Sequence, residues 1–434
     1  MENIVAEPFW KVAHLLRRAG FGGSAEEIDW LRAADLPTIV ENLVSYAESH
    51  VGALTTPPKL GTDAGQYEQW VEMTWAWLDS MRTAPFPLVD KLALFWHGHL
   101  TSGIDKVGSA PLMWQQLQLF RTKGLGRFRD LVQDAALDPA MLRYLDNAKN
   151  VVGAANENFA RELMELFTLG VHQYTQDDVV AMAKAWTGHG LDANGAYRFT
   201  PNRHDNTTKT LFGIARNWDG PAALDEIVLG SRREVSARHL VTRLWTFFAY
   251  PNPEPEVVDA LAATYLAADT HIGTTLRALF LRPEFYGERA VGGLVRSPIE
   301  YVVAAMKGLG FGPDVAHPEW YLEAMGQRPF NPPNVSGWRP NGYWVTQSAQ
   351  WAKGDFAGYV RWEAQKRGVL AGTNRLRSAD AARLALRTFG VDQPGFWTLL
   401  SLEKWLDGER RTTRWAEQPN LIMLSLLSPD LQLA

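Results

Sequence analysis

The spacing of apolar residues constrains this chain most, because it is helical nearly throughout. In QYEQWVEMTWAWLDSMR, residues 66–82, Trp70, Met73, Trp77 and Met81 fall at i, i+3, i+7 and i+11 and form one stripe. Comparable runs predict helices over 87–97, 110–121, 125–135, 156–169, 176–187, 234–248, 254–268, 272–281, 297–309, 348–365, 378–388, 394–406 and 418–427. Boundary signals agree with the periodicity. Asp138 before Pro139 reads as an N-cap with proline at the first helical position, Thr175 with Asp178 as a capping box, and Gly170 as a terminator. Period-two alternation is never sustained, and 195–213 is where a small hairpin fits. The expected fold is mainly α: a large multi-helix globular fold with irregular loop insertions and at most a small β-hairpin.

A chain of 434 residues suffices for one large domain or two ordinary ones. Around 188–222 the composition shifts from apolar runs to Gly, Asn, Asp, His and Thr. The expected division is an N-terminal helical region 1–190, an irregular loop or boundary 191–222 and a C-terminal helical region 223–434. One continuous domain in which 188–222 is a lid rather than a linker fits equally. A second irregular segment, GQRPFNPPNVSGWRPNGYWVT (326–346), cannot be helical because of its prolines and glycines, yet it carries Trp338, Tyr343 and Trp344.

Composition removes several chemistries. There is no cysteine, so disulfides, zinc–thiolate sites, iron–sulfur clusters and thiol nucleophiles are excluded. The net charge of −5 argues against nucleic-acid or membrane-surface partners. The start, MENIVAEPFWKVAHLLRRAGFGG, is broken by charges and lacks an apolar leader core, and no stretch is long enough to span a bilayer, so a cytoplasmic location is expected. Eighteen tryptophans fit a Trp-rich helical core or a groove of aromatic platforms for a sugar.

Three clusters carry candidate chemistry. On a helix over NENFARELMELFTLG (156–170), Asn158, Arg161, Glu162 and Glu165 share the polar face, and the two glutamates, one turn apart, can converge on a cation. In FWHGHLTSG (95–103), His97 and His99 flank Gly98; if Gly98 ends the helix, both imidazoles can reach one ion, whereas within a helix they diverge by about 200°. In RHDNTTKTLFG, His204 and Asp205 can ligate a metal, form an acid/base pair or cap a turn, and His189 opens the same segment. Arg17 and Arg18 of HLLRRAGFGG can grip an anion or form salt bridges. No HExxH, GxSxG, Walker or EF-hand pattern is present.

Taken together these segments resemble a known family. NENFARELMELFTLG followed by YTQDDVVAMAKAWTG is similar to the signature of the bacterial domain-of-unknown-function family numbered 1800. HLLRRAGFG, FWHGHLTSG, DPAMLRYLDNAKN, RHDNTTKTLFG, SPIEYV and PPNVSGW follow in that family's order, over residues 8 to 350 or so. The chain departs from the pattern at His189, where the family is expected to carry an aromatic. The resemblance implies a largely helical protein with no assigned reaction. It also implies export or a partner: many of the family's genes lie beside a secreted alkaline-phosphatase-like protein of the family numbered 1501.

Three functions follow as expectations. The first is a metal-dependent enzyme, a hydrolase with redox chemistry as the competitor, using zinc, manganese or iron. Its metal ligands would come from His97, His99, Glu162, Glu165 and His204, with Glu162, Glu165 or Asp205 as general base. The second is a metal-free carbohydrate-active enzyme with Glu162 or Glu165 and Asp205 as acid and base and Trp338, Tyr343 and Trp344 stacking on the sugar; Asn158 and Arg161 are further substrate-contact candidates. The third is a non-enzymatic helical partner protein whose histidines are satisfied by backbone carbonyls.

Overall fold

The structure, a computed structural model, describes residues 6–391, 393–412 and 417–434; residues 1–5 of the charged start lie outside it. The fold is mainly α. Observed helices follow the apolar periods closely: Gln66–Thr83, Ala110–Lys123, Arg233–Phe248, Pro298–Leu309 and Gln347–Lys366 begin and end within two residues of the expected limits. The caps work as read. Asp138 accepts from the backbone N–H groups of Ala140 and Met141, and Thr175 with Asp178 forms a reciprocal capping box.

The helix Leu88–His99 lies at the centre. Every residue from Leu88 to His97 is buried, as is His99, so this helix has no solvent face. Its polar groups therefore need internal partners. Asp90 accepts from the Trp77 indole (3.1 Å) and the Ser80 hydroxyl (2.8 Å) on Gln66–Thr83, and pairs with Arg121 on Ala110–Lys123. Lys91, the next residue, pairs with Glu300 on Pro298–Leu309. Two adjacent charges thus tie the central helix to three neighbours. One connected cluster of buried apolar side chains extends from Phe9 to Leu431, drawing on both halves of the chain. Part of the tryptophan complement serves that core: Trp70, Trp77, Trp96, Trp186, Trp218 and Trp245 are fully buried, while Trp10, Trp30, Trp320, Trp351 and Trp397 are exposed.

The 188–222 segment holds two small antiparallel hairpins where at most one was expected. His189–Leu191 pairs with Tyr197–Phe199, and Lys209–Leu211 with Ile214–Arg216. The first packs on the helix Pro139–Tyr144 and the second on Gln176–Ala185. The Lys209 ammonium fastens the segment, donating to the carbonyls of Asp205 (2.6 Å), Thr207 (2.9 Å) and Trp218 (2.8 Å) and to the Asn217 side chain (3.0 Å). Among the described residues no helix is long and apolar enough to cross a membrane.

Candidate functional site

Gly98 does not end its helix. Its φ is not positive, and hydrogen bonding continues past it to Leu100, whose N–H donates to Trp96 (2.7 Å). The expectation that glycine frees the HGH pair to share an ion is therefore corrected: His97 and His99 are two residues apart on an α-helix and diverge. His97 enters an aromatic box, with ring centroids 5.9 Å from Trp77, 5.7 Å from Phe330 and 5.2 Å from Trp338. His99 stacks on Phe95 at 5.4 Å and places Nε2 3.0 Å from the Phe167 carbonyl. A carbonyl only accepts, so Nε2 carries the proton and Nδ1 keeps a lone pair. Burial drives the His97 pKa down to about 3 and depresses His99 as well, the latter helped by nearby Arg243 and His239.

The partner of His99 follows from an irregularity in NENFARELMELFTLG. The α-helix Glu157–Glu162 continues as a π-helix over Leu163–Thr168. The last carbonyls of any helix lack internal partners. Here His99 serves Phe167, and His239 serves Leu166 at 2.9 Å. The wider turn also spoils the 100° register: Leu169, which 100° per residue would set on the polar face with Glu162 and Glu165, is buried.

Most of the remaining candidates keep local partners. Glu162 is half-buried; burial first, then Glu165, raise its carboxyl pKa, against Arg161. Glu165 accepts from the Tyr174 hydroxyl (2.6 Å), and Arg161 pairs with Glu157 and Gln176, each at 3.0 Å. Asn158 donates to the Leu145 carbonyl (3.2 Å). His204 Nδ1 lies 2.8 Å from the Thr187 carbonyl, and Asp205 accepts from the Thr207 N–H and hydroxyl, a turn-capping arrangement. Among the described residues no three His, Asp or Glu side chains are grouped to hold one metal ion.

A cavity of about 300 Å³ is what the structure builds beside the HGH helix. Phe95, Gly98 and His99 form one wall, Arg243 and Phe247 of Arg233–Phe248 another, and Ser297 and Glu300 the start of Pro298–Leu309 a third. The irregular segment closes it with Trp338, Arg339, Asn341 and Trp344, while Tyr343 stays exposed with Arg339 over its ring at 5.3 Å. Gly337 makes this approach possible. Its φ is +78°, and a Cβ there would sit 2.2 Å from the Gly98 carbonyl oxygen.

Charge gathers behind the Glu300 wall. Glu300 caps its own helix through the Ser297 N–H (2.7 Å) and holds the fully buried Lys91. Despite burial its carboxyl is held below the usual carboxylate range by Lys91, whose own ammonium burial depresses. Arg18 and Arg296 lie in the same field, each lowered to about 9 chiefly by burial, and Arg17 to about 10. Arg18 donates to the Ala290 carbonyl and Arg296 to that of Leu433 (3.1 Å), neither to a carboxylate.

A family model described as a protein of unknown function, DUF1800, matches residues 14–433. The chain belongs to the DUF1800 family. Neither curated proteins nor solved structures give a match. Four of the segments that carry the DUF1800 resemblance converge on this cavity and the charges behind it: RRAGFG with Arg17 and Arg18, FWHGH with Gly98 and His99, SPIEYV with Ser297 and Glu300, and NVSGW with Trp338. Sequence reasoning missed Lys91, Arg243, Glu300, Gln327 and Asn341. The S-x-x-E spacing of Ser297 and Glu300 was a visible capping signal; a lysine partner 209 positions away left none.

Proposed function

We propose that this DUF1800 protein binds a small organic ligand in the cavity between the HGH helix, the Arg243 helix and the 326–346 segment. The observation that carries the reading is the convergence of four distant segments on one concave, largely apolar space with two indole walls and a few polar groups, the usual anatomy of a small-molecule site. Binding fits better than either enzymatic expectation. A metal-dependent hydrolase needs clustered ligands; here the two HGH imidazoles diverge, Glu165 is held by Tyr174 and His204 by the Thr187 carbonyl, and no three such side chains are grouped among the described residues. A glycosidase needs two carboxyl groups flanking the scissile bond, one of them protonated. Glu300 is the one carboxylate on the cavity wall, and it is held ionised by Lys91.

Ligand-observed NMR tests this with a fragment set of aromatic and sugar compounds, each supplied both as a carboxylate and as the primary amide. The expected result is a subset that binds the wild-type protein and not Trp338→Ala, with folding of the variant checked by circular dichroism. Absence of binders, or binders indifferent to Trp338→Ala, would overturn the assignment.

A further inference from the structure

We propose that the cavity selects an organic anion, whose carboxylate or phosphate group lies against Arg243 and accepts hydrogen bonds from Gln327 and Asn341; this rests on the cavity being the ligand site. Arg243 lines the cavity and makes no hydrogen bond or ion pair with any described residue. It is exposed to solvent, yet crowded enough by protein that burial lowers its pKa, as expected for a guanidinium set in a concave wall. Arg339, at the rim, meets the Tyr343 hydroxyl and ring and no carboxylate.

The two wall amides are oriented by their backbone partners. Gln327 Oε1 accepts from the Ile299 N–H at 2.9 Å, and Asn341 Oδ1 from the Val295 N–H at 3.0 Å. A backbone N–H only donates, so the oxygens are fixed and both amide NH₂ groups are left as donors. No described residue accepts from either nitrogen, and both residues line the cavity. Against these donors stands Glu300, both of whose oxygens are engaged, by Lys91 and by Ser297. The polar groups left for a ligand are thus dominated by donors and positive charge. Arg296, Arg18 and Arg17 add to the field behind the wall, where low-polarity surroundings screen little. A neutral ligand would leave Arg243 unanswered; an anion with a flat apolar body answers the guanidinium and the indoles together.

The same fragment pairs test the inference. Carboxylates should bind the wild type at least about tenfold more tightly than their amides, the scale of a charge-assisted hydrogen bond. Arg243→Gln should erase that preference, so that each acid binds no more tightly than its amide, and Arg243→Lys should keep part of it, retaining charge without the planar fork. Equal binding of acids and amides, or a preference that survives Arg243→Gln, would overturn the anion assignment while leaving the cavity reading intact. If no fragment binds in either form, both readings fall.

Discussion

Replacing Gly98 with alanine distinguishes a helical HGH segment from a turning one by the sign of the stability change. Gly98 lies in the last turn of Leu88–His99 without a positive φ, and an added Cβ meets nothing closer than the Trp338 ring edge at 3.9 Å, an ordinary contact. Glycine inside a helix costs about 0.5–1 kcal/mol relative to alanine, with the lower half of that range apt for a terminal turn. At a urea slope of roughly 3 kcal/mol/M, Gly98→Ala should therefore raise the unfolding midpoint by about 0.2 M. Gly337→Ala is the matched opposite. Its φ of +78° penalises any Cβ, and that Cβ would fall 2.2 Å from the Gly98 carbonyl, so the roof segment must shift. Left-handed strain alone is worth about 1–2 kcal/mol, and the midpoint should drop by about 0.5 M or more. Equilibrium urea unfolding followed by circular dichroism reads both. A Gly98→Ala variant destabilised by more than about 1 kcal/mol would mean that the glycine is a conformational necessity, and the helical description of HGH would be wrong.

Glu300→Gln should cost about 3–5 kcal/mol by stranding buried Lys91, and Lys91→Met/Glu300→Gln should recover part of it in a double-mutant cycle; an effect of the single change below about 1 kcal/mol would sink the buried-pair assignment. His97 bears on pH. Its pKa is about 3 in the folded protein against 6.5 unfolded, so between these values the unfolded chain binds the extra proton. Its contribution is therefore complete above pH 6.5 and lost as pH falls toward 3, at about 1.4 kcal/mol per pH unit. Between pH 7 and pH 5 this amounts to about 1.9 kcal/mol, so the difference in urea midpoint should shrink by about 0.6 M in His97→Phe, and an unchanged difference would contradict the neutral buried histidine. Lys209→Met should strand the carbonyls of Asp205, Thr207 and Trp218, opening 188–222 to limited proteolysis without cleavage elsewhere; equal resistance to wild type would show that the ammonium is not what fastens the hairpins.

Helices were legible because their cause is local: apolar spacing, an Asp-Pro boundary and a Thr-x-x-Asp box act within a few residues. The π-turn at Leu163–Thr168 was not, since an α-helical wheel accounts for the same residues and is contradicted only by the burial of Leu169 and the partial exposure of Leu166. The reading of Gly98 failed for a related reason. Glycine signals a helix end when its φ is positive, and at Gly98 it is not; the glycine that a close backbone requires is Gly337, whose Cβ would meet the Gly98 carbonyl 239 positions away. Trp338 and Trp344 were visible as aromatics out of keeping with a loop, and both line the cavity. Arg243 was hidden because one arginine on an amphipathic helix looks like any solvated charge. What distinguishes it is that it forms no ion pair with any described acid while lining the cavity.

The spacing of HGH makes sense once the two imidazoles are assigned different neighbours. A helix presents i and i+2 to opposite sides, so His99 can close the end of the π-helix through Phe167 while His97 lies beneath Trp338 among Trp77 and Phe330. Both rings are held neutral by burial, and buried neutral imidazole adds polarity without the cost of a buried charge. The residue between them faces neither neighbour; it borders the cavity. A small residue there leaves volume for a ligand, and any larger side chain would extend toward the Trp338 wall. A ligand pair would have required the helix to end at residue 98. A helix that continues joins the roof of the cavity on one side to the π-turn on the other, and leaves between them the space in which an anion can meet Arg243.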